Sequence, residues 1–178
     1  MAKNSIFLYL AVALLIIIVI LVSLLLYLAT SKSIDVIRQQ DNVEYAEWKV
    51  PPGYIKPDSF EVTGASVLIK KGCRQLTAET TPERALGIFN ALYNRTDQRP
   101  DIYEGMVSLM QAYNIKVESV MVYAFADDTF YSDAYFRVGN DILQLDMKPS
   151  DAMAVALRTN SSIYFNTTLF NEKSENVC

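Results

Sequence analysis

The densest chemical run in the chain is Asp146-Met147-Lys148-Pro149-Ser150-Asp151, with Arg158 seven residues further on. It holds two carboxylates, an ammonium and a hydroxyl around a break between a β-type run and an alanine-rich helical one. A helix opening there turns backbone N–H groups toward any anion, and Lys148 and Arg158 add charge of the same sign. A plainer reading stands beside it: Ser150 as N-cap, Asp151 as partner of the helix dipole, and Asp146 paired with Lys148 or Arg158. The chain has no histidine. That excludes Ser-His-Asp and Cys-His nucleophilic machinery and histidine metal ligands, so any catalysis rests on carboxylates, Lys, Arg, Tyr or hydroxyls.

The elements that must position this run are legible from pattern. Residues 1–5 form a short tail, and Ile6 to Ala29 is an uncharged apolar stretch. At ~1.5 Å per residue it reaches roughly 36 Å, enough for one transmembrane helix and too long for the apolar part of a cleaved signal. Residues 30–58 are polar and proline-broken, reading as a stalk, and a domain follows over 59–170 with a flexible tail at 171–178. The expected fold is α+β. It comprises a short N-terminal β-hairpin (Ser59–Lys70 and Cys73–Glu79 around Lys71-Gly72) and two helices. A three-stranded antiparallel meander, an Ala-rich helix and a short strand Ser162–Phe165 follow, all behind the membrane helix. Thr81-Pro82-Glu83 opens the first helix, with Ala85, Ile88, Phe89 and Leu92 on its apolar face. Asp101 and Glu104 make a capping box for the second, whose buried face reads as Ile102, Met106, Leu109, Met110 and Tyr113. The meander runs Val117–Ala126, Thr129–Val138 and Ile142–Met147. In its middle strand Phe130, Ala134, Phe136 and Val138 point one way, and Tyr131, Asp133, Tyr135 and Arg137 the other.

The net charge is −4, which counts against a tight, non-specific nucleic-acid binder and leaves only a local basic patch for phosphate. Two cysteines, Cys73 and Cys178, make no metal cluster. They could pair in an oxidising compartment, but Cys178 ends a polar tail and two free thiols are expected. The basic residues flanking the apolar stretch nearly balance, Lys3 against Lys32 and Arg38. Sequons at Asn94, Asn160 and Asn166 lean toward an extracytoplasmic face for a single-pass membrane protein.

The run Leu145-Asp146-Met147-Lys148-Pro149-Ser150-Asp151-Ala152, continuing through Ala156-Leu157-Arg158-Thr159, resembles the signature of the bifunctional nuclease domain family. Asp128-Thr129-Phe130-Tyr131 is similar to that family's turn into its middle strand. Arg99-Pro100 precedes a helix at the family's place, and the order of elements agrees from about Ser59 to Leu169. Relatives commonly carry Thr-His-Asp after the Arg-Pro where this chain has Ile102, Tyr103 and Glu104. Thr81-Pro82-Glu83-Arg84 replaces their glycine and glutamate-rich helix start.

The resemblance implies a nuclease hydrolysing DNA or RNA phosphodiester bonds; the anchor and stalk lie outside it, and together the two readings give a membrane-anchored nuclease. A histidine-free nuclease would use carboxylates to hold Mg²⁺ or Mn²⁺, and no organic cofactor is indicated. Asp146 and Asp151 are then the expected metal ligands and catalytic groups, with Glu83 as a third carboxylate. Lys148, Ser150 and Arg158 would bind the phosphate. Tyr131 and Arg137, with Tyr135, would stack bases, although such an outward row more often makes a subunit contact. The expected partners are the lipid bilayer, nucleic acid and further copies of the chain. The alternative is a non-catalytic binding or assembly module of the same fold displayed on the membrane.

Overall fold

The computed structural model describes residues 19–24 and 48–178 apart from residue 97. The chain divides into two compact units, Met1–Ala46 and Glu47–Cys178. Residues 19–24 are helical, and the rest of the expected span 6–29 lies outside the described residues. Among the described residues no helix is long and apolar enough to cross a membrane.

The second unit is α+β, with two sheets and a shared core. Its strands are β1 (Tyr54–Ile55), β2 (Ser59–Thr63), β3 (Ser66–Lys71), β4 (Arg74–Glu79), β5 (Ile115–Ala126), β6 (Thr129–Val138), β7 (Asp141–Met147), β8 (Ser162–Asn166) and β9 (Ser174–Asn176). Its helices are α1 (Pro82–Leu92), α2 (Ile102–Ala112), α3 (Pro149–Arg158) and α4 (Thr167–Lys173). One sheet has five strands in the order β1-β8-β5-β6-β7, and the other four in the order β2-β3-β4-β9. Only β5 and β8 pair in parallel, because α3 forms the crossover that a parallel pair requires. The buried cluster joins both sheets through Ile69, Leu76, Val120 and Phe136, with Ile88 of α1 and Met110 of α2. At its centre Ala152, Met153, Ala154, Val155 and Ala156 are all buried. A helix buried on all sides lies between layers, and its alanines let the neighbouring backbones come close.

Several expectations change. Ser59–Lys70 is not one strand but a hairpin, because Gly64 adopts φ +62 and turns the chain. The capping box of α2 is present in full, yet Ile102, Leu109 and Tyr113 are exposed at 78%, 58% and 72%. The packed side instead runs through Tyr103, Met106, Val107 and Met110. The helix is rotated because Tyr103 seats against Gly87 of α1, where a β-carbon would come within 2.3 Å of the ring. The N-cap of α3 is Lys148, with Pro149 as its first residue, so Ser150 lies inside the helix and does not cap it. Segment 48–56 belongs to the fold. Trp48 donates to Ser119 Oγ at 3.0 Å and its ring lies 4.4 Å from that of Tyr135, while β1 pairs with β8.

The tail is also structured. The residues after Asn171 complete α4 and form β9, which pairs with β4, and Cys178 is bonded to Cys73 across 5.2 Å of Cα separation. The expected free thiols are therefore a disulfide. Arg74 holds the same segment by donating to Ser174 Oγ and to the carbonyls of Asn171 and Ser174, at 2.7, 2.5 and 2.6 Å. Sequence separation hid this pairing, since β4 and β9 meet only once the fold returns.

A cross-link spanning 105 residues restricts the unfolded chain strongly. Reductant, or Cys178→Ser, is expected to lower stability by about 2–4 kcal/mol in urea melts. An unchanged midpoint would show that β9 and Arg74 hold the segment without the bond.

Candidate active site

Two helices begin at one place. α1 follows Thr81 and α3 follows Lys148; each has proline at its start and neither cap residue's side chain accepts a hydrogen bond from its helix. Their positive ends open on a cleft of about 610 Å³ that both helix starts line, through Thr80, Thr81, Arg84, Lys148, Pro149 and Ser150. Two helix dipoles, a guanidinium and an ammonium make this the natural seat for an anion. Val67, Phe125, Phe130 and Met153 supply an apolar wall, which lowers the local dielectric and strengthens those charges.

Two carboxylates border the same cleft, Glu79 at the end of β4 and Asp128 in the β5–β6 turn. Glu79 accepts from Ser66 Oγ at 2.7 Å. Asp127 and Asp128 have φ values of 49° and 56° between the paired residues Ala126 and Thr129. A two-residue turn with both centres left-handed normally carries Asn-Gly, and two non-glycine residues there cost conformational energy.

Arg84 is held by what stands behind it. Its Nε lies 3.3 Å from Asp151 Oδ1, and the same carboxylate accepts from Tyr103 Oη at 2.7 Å. Burial first, then the bond to Asp151, pushes the Tyr103 phenol far above its ordinary value. The ring therefore stays a donor across the physiological range.

The sequence-predicted residues divide clearly. Lys148 and Ser150 line the cleft. Asp151 faces Arg84 and Tyr103. Glu83 folds back to accept its own backbone N–H and the Thr81 hydroxyl, which holds its carboxyl below the usual range. Arg158 is buried and ties α3 to the α2 cap, at 2.9 Å from Asp101 and 3.2 Å from Glu104. Its Nε is buried without a partner.

The others lie across the five-stranded sheet. Asp146 is exposed and stands opposite Asp133 in register, so it shares the face of Tyr131, Asp133 and Tyr135. Ala134 and Phe136 point instead into the core with α3. Asp146 and Asp151 are thus on opposite sides of the sheet and are not brought together. On the outer face, burial first, then Asp133 and Asp146, raise the Tyr123 phenol. Arg137 is buried there against Glu118. Neither Tyr131 nor Arg137 is among the residues lining the cleft.

Residues 68–177 match the family model described as the bifunctional nuclease domain. The chain belongs to that family. No curated protein matches it. The match begins within β3, so β1 and β2 precede it, and it includes both helices whose starts line the cleft and the disulfide partner Cys73. Arg84, Glu79 and Asp128 were missed in the sequence. Arg84 stands in an ordinary helix start, and Asp127-Asp128 reads simply as a strand separator. Only the unusual pair of non-glycine residues in a two-residue turn carried a signal.

Among the described residues no group of three or more His, Cys, Asp or Glu is placed to hold a metal ion. A divalent ion shared by Asp146 and Asp151 does not fit this arrangement. Glu79 and Asp128 are the two carboxylates that line the cleft.

Gly87→Ala is expected to push Tyr103 off Asp151 and cost about 1–3 kcal/mol by overpacking. Gly105→Ala, with open space at its β-carbon, should gain about 0.5–1 kcal/mol. Equal effects of the two in urea melts would mean the Tyr103 seat is not tight.

Proposed function

We propose that this bifunctional nuclease domain hydrolyses phosphodiester bonds of DNA or RNA, with the scissile phosphate seated where α1 and α3 begin. The observation carrying this is the convergence of two helix N-termini with Arg84 and Lys148 on one cleft bordered by Glu79 and Asp128. Family membership supports the reaction class. Arg84 and Lys148, aided by the positive ends of the two helices, would bind the phosphate and stabilise charge developing on its oxygens. Ser150 would donate to a phosphate oxygen. Asp151 acts as a positioning residue, holding the Arg84 guanidinium from behind, with Tyr103 fixing Asp151 in turn. Glu79 and Asp128 would hold Mg²⁺ or Mn²⁺, which when bound supplies Lewis acidity and an activated water. The apolar wall limits water around the reacting group.

The proposed setting is a membrane, through residues 6–29, with the domain on the oxidising side. The Cys73–Cys178 disulfide supports that side, because such bonds persist outside reducing compartments.

The test is cleavage of labelled single-stranded RNA and DNA with Mg²⁺, Mn²⁺ or chelator. Lys148→Ala and Arg84→Ala are each expected to lower the rate on the order of 10²-fold, whereas Asp146→Ala should leave it near that of the unaltered chain. Loss of cleavage in Asp146→Ala with full activity in Lys148→Ala would move the site to the other face and sink this reading. Arg158→Ala should act on stability first, since it strands the α2 cap carboxylates.

A further inference from the structure

The described sheets end on four edges, and three of them are guarded. β1 is two residues long and is flanked by Pro51, Pro52 and Pro57. β9 has three residues and runs directly into the disulfide at Cys178. β2 carries Glu61 bridged to Lys70 and follows Asp58 bridged to Lys71. The fourth edge, β7, has seven residues with no proline, no lysine or arginine, and an unbroken register against β6. Ile142, Leu143 and Leu145 on it are exposed at 36%, 47% and 37%. A long, regular, apolar edge with open N–H and C=O groups is a template for another strand.

We propose that β7 pairs antiparallel with β7 of a second copy, about a two-fold axis through Gln144, so that one sheet runs through both molecules. Residues opposite each other in a continuous sheet must share a face, so the axis passes through a residue and not between two. With the axis at Gln144, Leu143 stands opposite the partner's Leu145, twice by symmetry, on the helix side. Gln144 already donates to Asp133 Oδ2 at 2.7 Å. Its remaining amide N–H and its oxygen are matched across the axis to the partner's Gln144.

The charges are compatible with this register. Asp141 opposes the partner's Met147, and Ile142 opposes the partner's Asp146, so no carboxylates of the two copies face each other. An axis at Leu143 instead sets Asp141 against the partner's Leu145 inside the apolar pair. A second copy thus satisfies the backbone and the leucines and sets no carboxylates of the two copies opposite each other. Pairing on this edge is independent of the nuclease reading, because the cleft-lining residues do not include β7.

Cross-linking of the full-length chain in detergent tests it. Cα atoms directly opposite in an antiparallel pair are about 4.5–5.5 Å apart, within disulfide range. Gln144→Cys is therefore expected to give a dimer under mild oxidation, with the 144–144 linkage found by mass spectrometry. Ile142→Cys should give little, since its two copies would be offset by four residues, about 13 Å. Adding Leu143→Lys to Gln144→Cys should abolish the cross-link while leaving the far-ultraviolet circular dichroism spectrum of the folded chain unchanged. Absence of the 144–144 linkage, equal yields at 142 and 144, or a monomer throughout sedimentation equilibrium would each overturn the proposal.

Discussion

The domain depends on the burial of α3. From Ala152 to Ala156 this helix has no exposed side, so it must lie between other elements and cannot lie on their surface. Small side chains make that possible by letting α1 and the five-stranded sheet approach its backbone. Once the helix is sandwiched, the places of its two ends follow. Its start emerges beside the start of α1, and its end meets the cap of α2. Arg158, buried at that end, bridges Asp101 and Glu104 and so joins the two helices by charge as well as by packing.

Converging helix starts would repel one another through their positive ends unless something negative stood near them. Asp151 does part of this from within α3, beneath Arg84, and Glu83 does part from α1. The remainder faces the cleft, where an anionic ligand would complete the balance. Gly87, Tyr103, Asp151 and Arg84 form a chain of contacts from the packing of two helices to a guanidinium at the cleft. The Tyr103 phenol in that chain, raised by burial and by Asp151, stays protonated at neutral pH.

The C-terminal segment stiffens the other sheet. β9 covers the edge of β4, Arg74 gathers its carbonyls, and the disulfide fastens its end to the β3–β4 turn. Glu79, at the far end of β4, pairs with Ser66 of β3 and lies beyond the Arg74–Leu76 stretch that β9 covers.

Local pattern alone determined much of this protein. Proline after Thr81, the Asp101–Glu104 box and the alternation through Thr129–Val138 act within a few residues, so those elements were legible without any tertiary knowledge. The Lys148-to-Asp151 turn was legible as a helix start that could meet an anion, and Lys148 and Ser150 do line the cleft. What tertiary structure decided was which groups share a side. Asp146 and Asp151 are five residues apart in sequence, but a strand sends alternate residues to opposite faces and a helix then leaves from one of them. Arg84, Glu79 and Asp128 come from three separate elements, and nothing local marks their convergence. The exposed face of α2 and the partner of Cys178 were likewise set by long-range packing, because helical periodicity defines a stripe without saying which neighbour covers it.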